Sequence, residues 1–186
     1  MVGHDVGGMV AYAALRAAPR FEKVAICNMV IPGVAPWDEV YGNPHVFHFH
    51  FHAVPELPEQ LVAGRERVYF DWFLDLLSGD PARIGADYRD AFAAAYRTRQ
   101  ALTTGFDWCR TLPNDAERNI ANTCPVDTPV LYIRGDADPV DIDAYLEGFR
   151  SAGLRNVGAA IVPHSGHSAS LESPDSLWAT IRDFAR

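Results

Sequence analysis

Near its start the chain sets a single acid among small residues, Gly3-His4-Asp5-Val6-Gly7-Gly8. A short apolar lead precedes the acid and a helix-forming run, Met9 to Ala18, follows it at once. Such a layout suits a tight strand-to-helix turn that pushes one side chain into a cleft. Gly3 and Gly7 are expected where a Cβ would collide as the backbone doubles back. The exposed slot holds a carboxylate rather than a hydroxyl or a thiol. A carboxylate attacks saturated carbon, opening a strained ring or displacing a halide, and leaves an alkyl ester on the protein. A plainer reading makes His4 and Asp5 capping groups of the helix that follows.

An ester on Asp5 has to be broken by water, and water needs a base. The late loop Pro163-His164-Ser165-Gly166-His167 supplies two imidazoles, and a neutral imidazole accepts a proton near pH 7. His167 is favoured, because Gly166 precedes it and Glu172-Ser173-Pro174 opens the next helix soon after; His164 is the local competitor. A carboxylate on the far ring nitrogen would fix the tautomer. Asp138, just before Pro139, is the first candidate and Asp136 the second, Asp136 also suiting a turn. The Val6 backbone N–H is placed to face the oxyanion of the hydrolytic step.

The elements that position these groups follow from periodicity. Helical spacing runs from Met9 to Arg16 and is expected to stop at Pro19. Val24 to Ile31 is an apolar run without alternation, as in a parallel strand buried on both faces. From Val34 to Ala121 aromatic residues are dense and strand signals nearly vanish. Helices are expected over 58–77, 81–96 and 101–110. Strands return at Thr128–Ile133 and Gly158–Val162, with a helix over 142–152 between them and a last one behind Ser173-Pro174 as cap and first turn. The pattern predicts an α/β fold of parallel strands with flanking helices, divided as residues 1–33 (turn, helix and strand), 34–121 (inserted helical cap) and 122–186 (acid and histidine loops). His48, His50 and His52 alternate, so on a strand they would share a face and suggest a metal site; no acid or cysteine stands nearby to complete one.

A hydrophobic fraction of 48% and a net charge of −8 fit a globular protein and disfavour nucleic acid or anionic membranes as partners. No apolar run reaches the roughly 18 residues of a membrane span. Three widely spaced cysteines, Cys27, Cys109 and Cys124, suit reduced thiols in a cytoplasm.

Taken together, Gly3-His4-Asp5-Val6-Gly7-Gly8, Arg134-Gly135-Asp136-Ala137-Asp138-Pro139 and Gly166-His167 with Glu172-Ser173-Pro174 resemble the α/β-hydrolase superfamily, in particular its epoxide hydrolase and dehalogenase branch with an aspartate nucleophile. The segment His48 to Glu59, continuing to Gly64-Arg65-Glu66-Arg67, is similar to epoxide hydrolase-like proteins with a cap histidine. The resemblance implies Asp5 as nucleophile, Asp138 and His167 as its partners, and His48 as a donor to the epoxide oxygen, with no cofactor and no metal. It places the second donor, a tyrosine in the family, within Phe106-Asp107-Trp108-Cys109-Arg110, where this chain has Trp108 and Cys109. A thiol is a weak donor. Val6 stands where haloalkane dehalogenases carry Trp and haloacetate dehalogenases Arg, which weakens the dehalogenase alternative. The substrate expected is a hydrophobic small molecule.

The likeness covers only the C-terminal part of the family's domain. An α/β-hydrolase core without its N-terminal strands leaves an unpaired parallel edge beside the first strand. A missing N-terminal half, a second chain or a homodimer is the expected remedy; a half-length relative serving as a binding or accessory protein is the alternative to an enzyme.

Overall fold

The computed structural model describes residues 1–18 and 20–186. Its strands, β1 (Val2–His4), β2 (Val24–Cys27), β3 (Val130–Gly135) and β4 (Val157–Val162), form one parallel sheet in the order β1-β2-β3-β4. The register pairs Val2 with Ala25, Ala25 with Leu131 and Leu131 with Gly158. β2 reads as a continuous apolar run because both of its faces are covered. Val24 and Ile26 join Val130 and Tyr132 in a core under α1 (Val6–Ala17), while Ala25 and Cys27 join Ile133 and Val162 against Leu177. β1 and β4 are the two edge strands among the described residues, and Met1 and Val2 are exposed on the first.

Between β2 and β3 the chain leaves the sheet for a helical insertion. It comprises α2 (Trp37–Tyr41), α3 (His48–Ala53), α4 (Leu57–Val62), α5 (Glu66–Leu77), α6 (Ala86–Ala95) and α7 (Arg99–Ala121), with short 3-10 turns at Pro44–Val46 and Pro81–Arg83. After β3 come α8 (Ile142–Ser151), then β4, α9 (Ala169–Glu172) and α10 (Pro174–Ala185).

Several expectations need correction. The helix expected over 58–77 is two helices, parted where Gly64 takes φ +77°, a backbone conformation that suits glycine. The helix expected over 101–110 runs on to Ala121 with Pro113 inside it. The histidine run is helical rather than extended, so His48 and His52 share a face one turn apart while His50 binds the Tyr41 carbonyl at 2.9 Å. Ser173 is the N-cap residue of α10 with Pro174 in its first turn, as expected, but its side chain makes no capping bond; the hydroxyl donates instead toward the carbonyls of Pro163 and His164 at 2.9 and 3.1 Å. The stop expected at Pro19 lies outside the described residues; Ala17 is the last helical residue of α1.

Candidate active site

Asp5 sits between β1 and α1 with φ 55° and ψ −131°, a region that L-residues other than glycine seldom occupy. Its N–H is held by the Cys27 carbonyl at 3.1 Å and its carbonyl by the Gly8 N–H at 2.7 Å. The carboxylate is thereby turned back over the start of the helix, where Oδ1 accepts the Val6 N–H at 2.5 Å. The positive end of the helix dipole favours that charge. Gly3 is indispensable here, since a Cβ on it would stand 2.0 Å from the Gly7 carbonyl oxygen. Gly7 differs from expectation: nothing lies within 4 Å of its Cβ position. The second close approach belongs to Gly8, whose Cβ would lie 3.1 Å from Met29 Cβ and 3.2 Å from Ile26 Cγ2.

The loop after β4 brings His167 to the same point. Its Nε2 lies 2.7 Å from Asp5 Oδ2, and an ionised carboxylate can only accept, so Nε2 carries the proton of this bond. The peptide of His167 is held on both sides. Its N–H donates to the Leu77 carbonyl at 2.8 Å, and its carbonyl accepts from His4 Nε2 at 2.7 Å. Burial alone would raise the Asp5 carboxyl, but the hydrogen bond and charge of His167, helped by Val6 N–H and His4, hold it well below the usual carboxylate range. Burial, then the His167 charge, lowers His4. His164, the rival imidazole, takes φ 57° in the loop, and its main-chain oxygen faces Ser173.

The orienting acid is where sequence and structure part. Asp138 Oδ2 pairs with Arg134 Nη1 at 2.8 Å and accepts from Asn28 Nδ2 at 3.2 Å. Among the described residues no hydrogen bond joins it to the His167 ring. The physical reason is Arg134, a cation only 5% exposed, for which a carboxylate partner offsets a large desolvation cost. Asn28, at the end of β2 with φ 52°, also donates to the Gly166 carbonyl at 3.3 Å, so it ties the Asp138 loop to the His167 loop. Asp136 accepts from Ser165 N–H at 3.1 Å and braces the loop rather than the ring.

The insertion closes over these groups. His48 is half-buried, with Phe49 and Phe73 against its ring at centroid distances of 4.6 and 5.1 Å, and its Nδ1 is buried without a partner. Burial pushes it down to about 4, against an opposing pull from the Asp5 charge. Such an imidazole is neutral at pH 7 and can offer an N–H. Cys109 Sγ lies 3.6 Å from His52 Nδ1, and His52 Nε2 lies 2.5 Å from the Tyr69 hydroxyl. Burial, then the Asp5 charge, drives the Cys109 thiol up to about 12. Trp108, expected beside it, is 46% exposed and turned outward. Tyr96 was not singled out from the sequence. Burial, then the Asp5 charge, raises its phenol, and its ring lies tilted against Phe70 at a centroid distance of 4.5 Å. A Cβ on Gly105 would stand 2.6 Å from Tyr96 Cε1, so that glycine on α7 makes room for the ring. Nothing in a lone Tyr-Arg pair at a helix end signals this. Among the described residues no group of three histidine, cysteine or acidic side chains is arranged to hold a metal ion, and no helix is long and apolar enough to cross a membrane.

Residues 1–180 match the alpha/beta hydrolase family. The whole chain superposes on Cfl2 from Burkholderia cenocepacia with a TM-score of 0.84 and 31% identity, covering 64% of that protein. The epoxide hydrolase CorEH aligns with 98% of the chain at a TM-score of 0.83 and 23% identity, over 66% of its own length. The Cif epoxide hydrolase from Acinetobacter nosocomialis aligns with 100% of the chain at 0.86 and 18%, over 60% of its length. For the last two the likeness is one of fold. The chain thus spans less than two thirds of the length of each. No curated protein matches it.

Proposed function

This chain belongs to the alpha/beta hydrolase family, and from that footing we propose that it opens the epoxide ring of a hydrophobic small molecule through an ester on Asp5. The observation that carries the reading is the division of labour between the two carboxylate oxygens. Oδ1 rests on the Val6 N–H while Oδ2 faces His167. Oδ2 is then the attacking atom. It forms a bond to a ring carbon, the carbon–oxygen bond of the epoxide breaks, and the ring oxygen takes up a proton. His48, whose buried Nδ1 has no partner, serves in this reading as the neutral donor to that oxygen. Cys109 is engaged by His52 and serves the packing of the cap.

Once Oδ2 is esterified it no longer accepts from His167 Nε2–H; the neutral ring then carries its one proton on Nδ1, and the bare Nε2 holds water. The imidazole removes a proton from that water, the hydroxide adds to the Asp5 Cγ, and the resulting oxyanion stays on the Val6 N–H as Oδ1. Collapse expels the diol oxygen, which takes the proton from His167. The Asp5 carboxyl, held at low pKa, releases the proton consumed in the first step. The sum is epoxide plus water to diol. The exposed edge of β1 is, in this reading, covered by further strands, from the same polypeptide or a second one.

A single turnover in ¹⁸O-labelled water tests the route. The label is expected in the Asp5 carboxylate and not in the first diol formed. Label in that diol, with none on Asp5, overturns the ester, and halide release from haloalkanes without epoxide turnover would favour displacement instead.

A further inference from the structure

Resting on the reading above, we propose that Glu172 is a positioning residue that fastens the helical insertion to the peptide carrying His167, so that insertion and base move as one body. Glu172 closes α9 and is 4% exposed. Its Oε2 accepts the N–H groups of Gly79 and Asp80 at 2.7 and 3.0 Å, in the exit from α5, and its Oε1 accepts the N–H of Gly166 at 3.0 Å. Among the described residues no cation pairs with this carboxylate. Arg83, the nearest candidate, donates instead to the Glu172 main-chain oxygen at 2.9 Å. A buried charge without a counterion persists only where hydrogen bonds replace its hydration. Here three backbone donors do so, two from the insertion and one from the histidine loop.

The backbone contact beneath this carboxylate is equally close. A Cβ on Gly166 would stand 2.3 Å from the Leu77 carbonyl oxygen and 2.6 Å from the Gly79 nitrogen. On Gly79 it would stand 2.7 Å from Ala137 Cβ. Only glycines allow the α5 exit, the Asp138 loop and the His167 loop to cross at such range. The next residue after the crossing is His167, whose N–H takes the Leu77 carbonyl. His4 and Asn28 grip the same two peptides from the sheet. Displacing residues 77–80 therefore drags the imidazole from Asp5, and the insertion has to open elsewhere.

Glu172→Gln discriminates. An amide keeps one acceptor oxygen, so it can satisfy the Gly79–Asp80 side or Gly166 but sets an NH₂ group against the other. With an epoxide under single-turnover conditions, ester formation on Asp5 is expected within about threefold of wild type. Ester breakdown, which needs His167 in place, is expected to slow at least roughly tenfold, so that the ester accumulates. Should this variant fail to fold, Glu172→Asp keeps a carboxylate that falls short by one methylene, and the same selective loss is expected. Equal slowing of both steps, or of neither, overturns the proposal. A substrate-free readout separates it from the epoxide reading. The charges of His167 and His4 act on Asp5, and that of Asp5 acts on His48, Tyr96 and Cys109; beside Glu172 stand Asp80 and Arg83. In a ¹³C titration the Asp5 carboxyl of the variant is expected to rise toward the ordinary value near about 4, because His167 no longer sits on it. An unshifted Asp5 overturns the proposal; a wild type that forms no ester with any epoxide overturns the reading instead.

Discussion

Replacing His167 by Gln separates making the ester from breaking it. The amide keeps a donor near Asp5 Oδ2, and the Val6 N–H still holds Oδ1, so the attacking carboxylate keeps its aim. Without the imidazole Asp5 loses the strongest influence that lowers it, and at pH 8 it remains ionised as ordinary carboxylates do. What goes is the base. General base catalysis is worth about 10²–10⁴ in rate, or roughly 3–5 kcal/mol at about 1.36 kcal/mol per tenfold. No neighbour replaces it well: His4 Nε2 is committed to the His167 carbonyl, and His48, lowered to about 4, is a weak base. An ester that lives about one second in the wild type would thus live from about two minutes to about three hours. Intact-mass spectrometry after mixing with an epoxide should then show one adduct per chain, mapped to Asp5. Cys124 is an exposed thiol that epoxides alkylate directly, so the experiment belongs in a Cys124→Ser background. Its absence from folded His167→Gln protein whose parent turns the epoxide over, or its persistence after Asp5→Asn, would refute the reasoning.

Two further outcomes follow from the geometry. Gly3→Ala should abolish the turn, because its Cβ would meet the Gly7 carbonyl at 2.0 Å, whereas Gly7→Ala, with open space and a helical backbone, should be neutral or stabilising by up to about 1 kcal/mol; chemical denaturation of the pair decides it. Stability should fall on acidification from pH 6.5 toward pH 4, by about 1.4 kcal/mol per pH unit for each histidine kept neutral by burial. His48 and His52, lowered to about 4 and about 3, bind protons only once unfolded in that window, so the loss grows as pH drops and vanishes above 6.5; a melt series with His52→Gln should flatten it, and an unchanged slope counts against the assignment.

What could be read from the sequence was whatever a single chemical type announces. A both-sides-buried parallel strand has no alternation, so β2 and β3 stand out; a small-acid-small turn and a late Gly-His pair stand out by chemistry. The crossing of loops did not. Glu172 was legible only as a residue near a helix start, since two of its three amide partners lie 92 and 93 positions away. Tyr96 depends on a missing side chain at Gly105, and the histidine run follows helical contacts with α7 that its own alternation conceals. α7 runs on through Pro113, where packing of Leu112 and Ala116 into the core outweighs one absent N–H.

Arg134 decides how Asp138 should be tested. Asp138→Asn leaves a guanidinium with 7% side-chain exposure facing a neutral amide, and breaking one half of a buried pair costs roughly 3–5 kcal/mol. Lost activity in that variant therefore says nothing about the His167 ring. Arg134→Met combined with Asp138→Asn removes both charges, and an apolar replacement of a buried pair is close to neutral or better. Stability should return to within about 1–2 kcal/mol of wild type in the double variant. If Asp138 serves chiefly to neutralise Arg134, as the 2.8 Å contact indicates, ester breakdown returns as well. If the double variant is stable yet breaks its ester about 100-fold or more slowly, the carboxylate reaches the ring during turnover and the pairing seen here is its resting position.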